Sequence, residues 1–119
     1  MTPCTVREIC DAVGGTLLQS SDVSVTRVST DSRRIPEGAL FVPLVGERFD
    51  GHAYIGKALE SGAAGCLTAR TPDALLPGKF YIQVSATRLA LKALALWYRG
   101  RFALPVVQAR YAALLQGIV

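Results

Sequence analysis

The chain has 119 residues, a net charge of +4 and a hydrophobic fraction of 50%. Such a composition excludes a disordered chain, and the length predicts a single domain. The most continuous apolar stretch, Leu89 to Tyr98, is broken by Lys92 and is shorter than the roughly 20 residues that a bilayer-spanning helix needs. We therefore expect no membrane partner.

The cysteines and the start of the chain indicate a compartment. Cys4, Cys10 and Cys66 are scattered without a Cys-x-x-Cys pair, and His52 is the only histidine, so we expect no metal site. Cys10 and Cys66 lie in apolar runs and are expected in the core. Residues 1–4 show neither the basic nor the apolar region of a signal peptide. Free thiols without an export signal favour the cytoplasm.

The basic residues are spread along the chain, and no run of Lys or Arg exceeds two. A protein that binds a polyanion usually presents a basic stripe, so we expect no nucleic-acid partner. A small anion such as a diphosphate needs only two or three cations.

The first predicted element is a short amphipathic helix. Thr5 and Glu8 have the spacing of a capping box, apolar residues from Val6 to Val13 follow at helical spacing, and Gly14 supplies the stop. A brief strand is expected over residues 16–18. A second strand, with a bulge, is expected from Ser24 to Thr30 because its valines lose the two-residue register.

The middle of the chain alternates strands and helices. Ala39 to Leu44 is almost wholly apolar, which predicts a strand buried on both faces. A helix is expected from His52 to Ser61, with His52 at the surface and Lys57 on the outer face. It is followed by a buried strand from Ala63 to Thr68 and another from Phe80 to Val84. This order predicts an α/β domain with a small mixed β-sheet flanked by helices.

The last predicted element is a long helix from Ala86 to about Arg99, with Ser85 as its cap. Leu89 and Leu96 mark one apolar face and Leu91 another, so both sides of the helix need a cover. We expect another domain or a second copy to provide it, as in a homodimer through the 86–99 helix.

The sequence predicts no catalytic residue. A Ser-His-Asp triad would have to use His52, and no Gly-x-Ser-x-Gly elbow is present. No Gly-x-x-x-x-Gly-Lys-Ser/Thr loop that would cradle the phosphates of ATP occurs either. These absences favour a binding module over an enzyme.

Two polar loops are the candidate binding elements, because each follows a predicted strand and ligands of open α/β sheets sit beyond strand ends. The first loop, Thr30 to Arg34, offers hydroxyls and guanidinium groups for phosphate oxygens. The second, Gly46 to His52, offers a backbone that can approach a ligand closely at Gly46, and a ring face for a base at Phe49. In the same loop Glu47 can accept an imide N–H, and Arg48 adds a further cation.

Structural roles explain several of the same residues. Asp31 and Ser32 fit an Asx turn. Asp50 fits a helix N-cap, with Phe49 as the hydrophobic staple before it. Arg33 or Arg34 fits a solvated side chain or a weak surface pair with Glu37. These alternatives stay open on the residues alone.

Taken in order, three segments resemble the amino-terminal domain of the Mur ligases, the ATP-dependent enzymes that build the peptide of bacterial cell-wall precursors. The segments are Thr30-Asp31-Ser32-Arg33, residues 38–44 and Gly46-Glu47-Arg48-Phe49-Asp50-Gly51-His52. The third segment and the run 101–107 resemble the MurF type, the UDP-N-acetylmuramoyl-tripeptide–D-alanyl-D-alanine ligases, more than the MurE type. The resemblance implies a substrate-binding domain over residues 1–107 and a tail over 108–119.

The resemblance also implies a ligand, the uridine diphosphate (UDP) end of UDP-N-acetylmuramoyl tripeptide. The implied contacts are Thr30, Asp31, Ser32, Arg33, Gly46, Glu47, Arg48, Phe49 and Asp50. In the family a Gly-rich ATP loop would begin near residue 108, in a central domain that also binds magnesium, whereas residues 108–119 contain no such loop. We therefore expect no ATP or magnesium site in this chain and no ligation by it alone.

Overall fold

The computed structural model describes residues 3–102, with side chains through residue 99. The expectations for residues 103–119 lie outside this range. The strands are β1 (Cys4–Thr5), β2 (Thr16–Gln19), β3 (Ser24–Val25), β4 (Val28–Ser29), β5 (Leu40–Phe41), β6 (Gly65–Thr68) and β7 (Phe80–Gln83). The helices are α1 (Val6–Val13), a 3-10 helix (Gly51–Tyr54), α2 (Ile55–Glu60) and α3 (Thr87–Phe102).

Five strands form one mixed sheet in the order β2-β7-β6-β5-β4. The four strands from β4 to β7 pair in parallel, and β2 pairs antiparallel with β7. Strands β1 and β3 form a separate two-stranded ribbon. This arrangement confirms the predicted α/β class with a mixed sheet. Its consequence for function is that the carboxyl ends of four neighbouring strands meet at one edge.

Helices cover both faces of the sheet, because successive side chains of a strand point to opposite faces. Leu40 and Val42 pack in a core with α1 and α3, whereas Phe41 packs in a second core with α2. All three are essentially inaccessible to solvent, so the prediction of a strand buried on both faces is confirmed. A side chain of this size contributes about 1.5–3 kcal/mol when it is fully buried.

The predicted caps of α1 are present. The Thr5 hydroxyl accepts from the Glu8 N–H, and the Glu8 carboxylate accepts from the Thr5 N–H. Gly14 ends the helix in the left-handed conformation at φ 63°. Cys10 and Cys66 are buried, as expected, and burial raises the pKa of the Cys66 thiol to about 12.

The continuous strand expected from Ser24 to Thr30 is wrong. Val25 pairs with Cys4 in the small ribbon, whereas Val28 pairs with Leu40 in the main sheet. The register loss between the two valines therefore marks a crossing between sheets rather than a bulge. The paired part of the Ala39–Leu44 segment is also shorter than expected, although its burial extends beyond the ladder.

Both remaining helices differ from prediction at their starts. The segment expected as a helix from His52 begins with the 3-10 turn at Gly51 and becomes α-helical at Ile55. Helix α3 begins at Thr87, so Ser85 lies one residue too early to be its N-cap, and the helix reaches Phe102.

Helix α3 presents apolar side chains on two sides, as predicted. Leu91 and Leu94 are buried beneath it, whereas Leu89 is 66% exposed and Leu96 is 51% exposed. These two leucines stand two turns apart and share one face. Within residues 3–102, no helix combines the length and apolarity needed to cross a membrane.

Candidate functional site

The two predicted binding loops meet at the carboxyl edge of the parallel strands. The first loop follows β4 and the second lies between β5 and α2, and these two strands are neighbours. A third segment, residues 69–79, leaves the same edge after β6. The sheet topology therefore brings together loops that are distant in sequence.

Hydrogen bonds within the first loop fix its shape. The Asp31 carboxylate accepts from the Arg33 N–H at 2.9 Å, and the Arg34 N–H donates to the Asp31 carbonyl at 3.0 Å. The Ser29 hydroxyl accepts from the Asp31 N–H at 3.2 Å. The Asx turn is thus confirmed, and it makes the loop a compact turn.

Arg33 forms an ion pair within its own loop. Its Nε and Nη2 atoms lie 3.1 and 3.2 Å from the two carboxylate oxygens of Asp31. These hydrogen bonds to Arg33 lower the pKa of the Asp31 carboxyl, and the same pair raises the pKa of Arg33. The partner is Asp31, so the expected alternative of a pair with Glu37 is wrong, and the charge of Arg33 is largely balanced.

The second loop is a tight hairpin. The Gly46 N–H donates to the Phe49 carbonyl at 2.7 Å, and Val45 and Asp50 form an antiparallel bridge. Where the hairpin closes, the Gly51 N–H donates to the Leu44 carbonyl at 2.8 Å. A Cβ on Gly51 would lie 2.8 Å from the Leu44 nitrogen, so only glycine allows this approach.

The hairpin leads into the 3-10 helix through a cap and a staple. The Asp50 carboxylate accepts from the His52 N–H at 3.0 Å, which makes Asp50 the N-cap. Phe49 stacks on Tyr54 with ring centroids 5.6 Å apart and an interplanar angle of 15°. Both structural alternatives considered from the sequence are therefore confirmed, and together they hold two aromatic rings beside the first loop.

A pocket of about 510 Å³ lies between the two loops and the start of α2. Its lining consists of Thr30, Asp31, Ser32, Arg33, Phe41, Phe49, Tyr54 and Lys57. Five of the nine implied contacts thus face one pocket. Within the described residues, the hydroxyls of Thr30 and Ser32 have no hydrogen-bond partner, which leaves them available to a ligand.

The other four implied contacts lie outside this lining. Gly46, Glu47 and Arg48 form the exposed tip of the hairpin. Asp50 is the N-cap beneath the loop. Gly46 and Asp50 support the wall residues Phe49 and Tyr54 through the hairpin bond and the helix cap, but none of the four lines the pocket itself.

Three lining residues were missed by the sequence reasoning. Phe41 supplies the floor from β5, while Tyr54 and Lys57 stand one helical turn apart at the start of α2. Their three-residue spacing is a signal that could have found them, because it places both side chains on one helix face. Lys57 was expected on the outer face of its helix and is indeed exposed, but that face borders the pocket.

Behind the pocket, His52 connects the hairpin to the end of β6. Its Nε2 accepts from the Ala69 N–H at 2.9 Å, which fixes the ring proton on Nδ1. Nδ1–H then donates to the Asp50 carboxylate at 2.8 Å. The side chain is only 5% exposed, so the expectation of a surface histidine is wrong.

Two further residues complete this connection. Arg70 pairs through Nη2 with the second carboxylate oxygen of Asp50. The buried Thr68 hydroxyl accepts from the Arg70 N–H at 3.2 Å and donates to the Arg70 carbonyl at 2.7 Å. Burial lowers the pKa of His52, which keeps the imidazole neutral at neutral pH.

The polar side chains around His52 are engaged in contacts that shape the site. Asp50 and His52 are committed to each other and to the backbone, and no nucleophilic hydroxyl hydrogen-bonds to His52 among residues 3–99. In the same part of the chain, no group of three or more His, Cys, Asp and Glu side chains could hold a metal ion.

The sequence comparisons point to one family. Its model, described as Mur ligase family, catalytic domain, matches residues 24–99. The UDP-N-acetylmuramoyl-tripeptide–D-alanyl-D-alanine ligase of Escherichia coli strain K12 is 39% identical over 99 residues, which cover 83% of this chain and 21% of that enzyme. The Bacillus subtilis strain 168 enzyme of the same name is 38% identical over 79% of this chain and 21% of its own length.

Ligases with a different name match as well. A UDP-N-acetylmuramoyl-L-alanyl-D-glutamate–2,6-diaminopimelate ligase of Parabacteroides distasonis is 36% identical over 78% of this chain and 20% of its own length. The chain therefore spans about a fifth of the length of these curated relatives.

Solved structures agree with the sequence matches. A crystal structure of MurF from Acinetobacter baumannii superposes with a TM-score of 0.77 at 30% identity, over 87% of this chain and 22% of that one. MurF from Thermotoga maritima, solved in complex with ADP, gives a TM-score of 0.58 at 31% identity, over 66% and 18% of the respective chains.

Proposed function

We propose that this chain, which belongs to the Mur ligase family and corresponds to the amino-terminal domain of its MurF members, binds the UDP end of UDP-N-acetylmuramoyl tripeptide. The observation that carries the proposal is the pocket of about 510 Å³, because its wall joins the Thr30–Arg33 loop to the Phe49–Tyr54 ring pair. A nucleoside diphosphate carries both a planar base and a compact double charge. One side of the pocket offers aromatic rings to the base, and the other offers polar groups to the diphosphate.

The aromatic side suits the base. Phe49 and Tyr54 are both partly exposed while stacked, so their ring surface is available to a planar group. Stacking of a base on an aromatic side chain is worth about 1–3 kcal/mol by alanine substitution. This wall would hold the uracil ring.

The polar side suits the ribose and the diphosphate. The free hydroxyls of Thr30 and Ser32 can donate to phosphate oxygens or accept from the ribose. Lys57 adds a positive charge to the same lining. Gly46, Glu47, Arg48 and Asp50 are proposed as contacts for parts of the ligand that extend past the pocket over the hairpin.

The wider role follows from the family. We propose that the domain serves an ATP-dependent ligase that adds D-alanyl-D-alanine to a cytoplasmic cell-wall precursor. ATP and magnesium chemistry would then lie outside residues 1–107. The alternative is a MurE-type domain, and its support is the somewhat lower similarity to a 2,6-diaminopimelate ligase.

Titration calorimetry of the chain with UDP and with UDP-N-acetylmuramoyl tripeptide tests the proposal. Both ligands should bind, and Phe49→Ala should raise both dissociation constants by about tenfold because the base loses its stacking surface. Leu89→Ala is the matched control, since Leu89 is also an exposed large apolar residue but lies outside the pocket lining. Absence of binding at millimolar ligand, or equal effects of both substitutions, would refute the proposed site.

A second candidate function is an interaction surface on α3. Its supporting observation is the exposure of Leu89 and Leu96 on one helix face. Exposed apolar patches often mark contact sites between proteins. Another domain or a second copy of the chain would cover these leucines, and this role is compatible with binding of UDP.

A further inference from the structure

His52 joins two segments that are otherwise separate in sequence. Its backbone belongs to the 3-10 helix and lies between Phe49 and Tyr54 in the sequence, while its Nε2 accepts from the N–H of Ala69 beyond β6. The imidazole does not line the pocket between the loops; it lines a second cavity, of about 460 Å³, on the other side of α2. Any effect of His52 on a ligand in the first pocket must therefore act through the aromatic rings.

The contacts of His52 anchor this part of the pocket wall to the rigid sheet. Most bonds of the hairpin are short-range, such as the one from Gly46 to Phe49, and the exposed Arg88 side chain reaches the Val45 carbonyl on its other strand at 3.5 Å. By contrast, the bond to Ala69 spans 17 residues, and Ala69 directly follows the fully paired strand β6. Without this bond, Asp50 would keep only the exposed side chain of Arg70 as its link to β6 among the described residues.

We infer that His52 is a positioning residue for the proposed UDP site, and that it holds the Phe49–Tyr54 wall in place only as a neutral imidazole. The inference rests on the proposed function. A protonated ring would carry a hydrogen on Nε2, which would then face the Ala69 N–H donor to donor. Protonation must therefore break the bond that anchors the wall.

The charged groups around His52 influence its protonation in opposite directions. Asp50 accepts from Nδ1 and favours the cation, whereas Arg70 neutralises Asp50 and opposes it. Glu60 and Asp73 line the same cavity from α2 and from the segment after β6. Burial opposes the cation, and it lowers the pKa of His52.

The experiment compares His52→Leu, His52→Gln and Gln19→Leu by two readouts, hydrogen exchange of the Ala69 amide and the dissociation constant for UDP. Leucine fills space but removes both hydrogen bonds, whereas glutamine retains an acceptor for Ala69. Gln19 is the matched control, because its side chain also holds a distant segment through two bonds, to the carbonyls of Leu76 and Lys79. It differs from His52 in that it belongs to β2, the outer strand farthest from β4, and lines neither pocket.

At pH 7.5 we expect His52→Leu to speed exchange of the Ala69 amide and to weaken UDP binding by roughly five- to tenfold, the effect of one lost hydrogen bond. His52→Gln should retain most of the Ala69 protection and most of the UDP affinity. Gln19→Leu should change neither quantity. As the pH falls below 6.5, the wild-type chain should lose Ala69 protection and UDP affinity. His52→Gln, which lacks the titrating group, corrects for protonation of the phosphate of UDP itself.

The outcomes separate the inference from the proposed function. Wild-type UDP affinity in His52→Leu, despite fast exchange at Ala69, would overturn the positioning role and leave the UDP site standing. A wild-type chain that does not bind UDP would remove the site and the inference together. If His52→Leu does not fold, the comparison of wild type with His52→Gln across pH decides, and parallel pH profiles would overturn the inference.

Discussion

At the scale of single residues, two cations reach the pocket and differ in their partners. The guanidinium of Arg33 is engaged by both oxygens of Asp31. Lys57 forms no ion pair within the described residues, and it borders the same pocket. A ligand with a diphosphate would therefore gain more from Lys57 than from Arg33, because an unpaired ammonium has no competing carboxylate to displace.

Replacement of Lys57 should distinguish the contribution of the phosphates to binding from that of the base. We expect Lys57→Met to raise the dissociation constant for UDP by about two- to fivefold, the effect of one exposed charge contact, and to leave the dissociation constant for uridine unchanged. Calorimetry at low and high salt measures the dissociation constants, and the difference between Lys57→Met and the wild type for UDP should shrink at high salt. Lys92→Met, an exposed lysine on α3, is the control. Equal loss for UDP and uridine would show that Lys57 supports the fold rather than the phosphates.

The buried histidine makes stability depend on pH. Because burial lowers the pKa of His52 below its ordinary value of 6.5, the unfolded chain binds this proton first as the pH falls. The free energy of unfolding should thus be highest above pH 6.5 and decline below it, by at most about 1.4 kcal/mol per pH unit. Urea denaturation between pH 7.5 and 5.5 measures the slope. A slope that is unchanged in His52→Gln would assign it to other groups.

At the scale of elements, close packing between β6 and β7 depends on a glycine. A Cβ on Gly65 would lie 2.3 Å from the ring of Phe80, its partner in the ladder, and 2.4 Å from the Phe80 carbonyl oxygen. The backbone oxygen cannot move without breaking the sheet. Gly56, on the exposed side of α2, has no atom within 4 Å of the corresponding position.

Replacement by alanine should have opposite effects on the stability of the fold at these two glycines. Gly65→Ala should destabilise the fold by about 1–3 kcal/mol through overpacking. Gly56→Ala should stabilise it by up to about 1 kcal/mol, because alanine is the better helix former. Chemical denaturation of both variants measures the two effects. Similar stability of Gly65→Ala and the wild type would contradict the packing described for the central strands.

Local patterns predicted those elements whose signals lie within a few residues. The capping box of Thr5 and Glu8 and the cap and staple of Asp50 and Phe49 are of this kind, and all are present. The break between β3 and β4 could not be predicted in this way. Valines at positions 25 and 28 lose alternation equally in a bulge and in a crossing, and only their distant partners distinguish the two.

The candidate site shows the same contrast between features with a local sequence signal and features that depend on distant partners. Its two loops were predicted from hydroxyl, aromatic and basic residues after strands. Lys57 was assigned to a solvent face, because sequence spacing gives the face of a helix but not what stands opposite it. The contact of His52 with Ala69 left no trace in the sequence, since its donor is a backbone N–H that every residue except proline carries.

At the scale of the whole molecule, the outer face of α3 exposes two large apolar side chains that no other described residue covers. Leu89 and Leu96 project from it beside the exposed Lys92. If these leucines mediate self-association, Leu89→Lys combined with Leu96→Lys should shift the chain to monomer in sedimentation equilibrium. A wild-type chain that is already monomeric at high concentration would contradict the homodimer proposed for this face.

The central claim is that the two loops form one UDP site, and NMR titration of the labelled chain tests it most directly. UDP and UDP-N-acetylmuramoyl tripeptide should shift amide signals in residues 30–33 and 49–57 together, with a common dissociation constant for each ligand. ATP, added as a control at the same concentration, should cause at most weaker shifts. Shifts confined to one loop, or no shifts at millimolar UDP, would contradict the account.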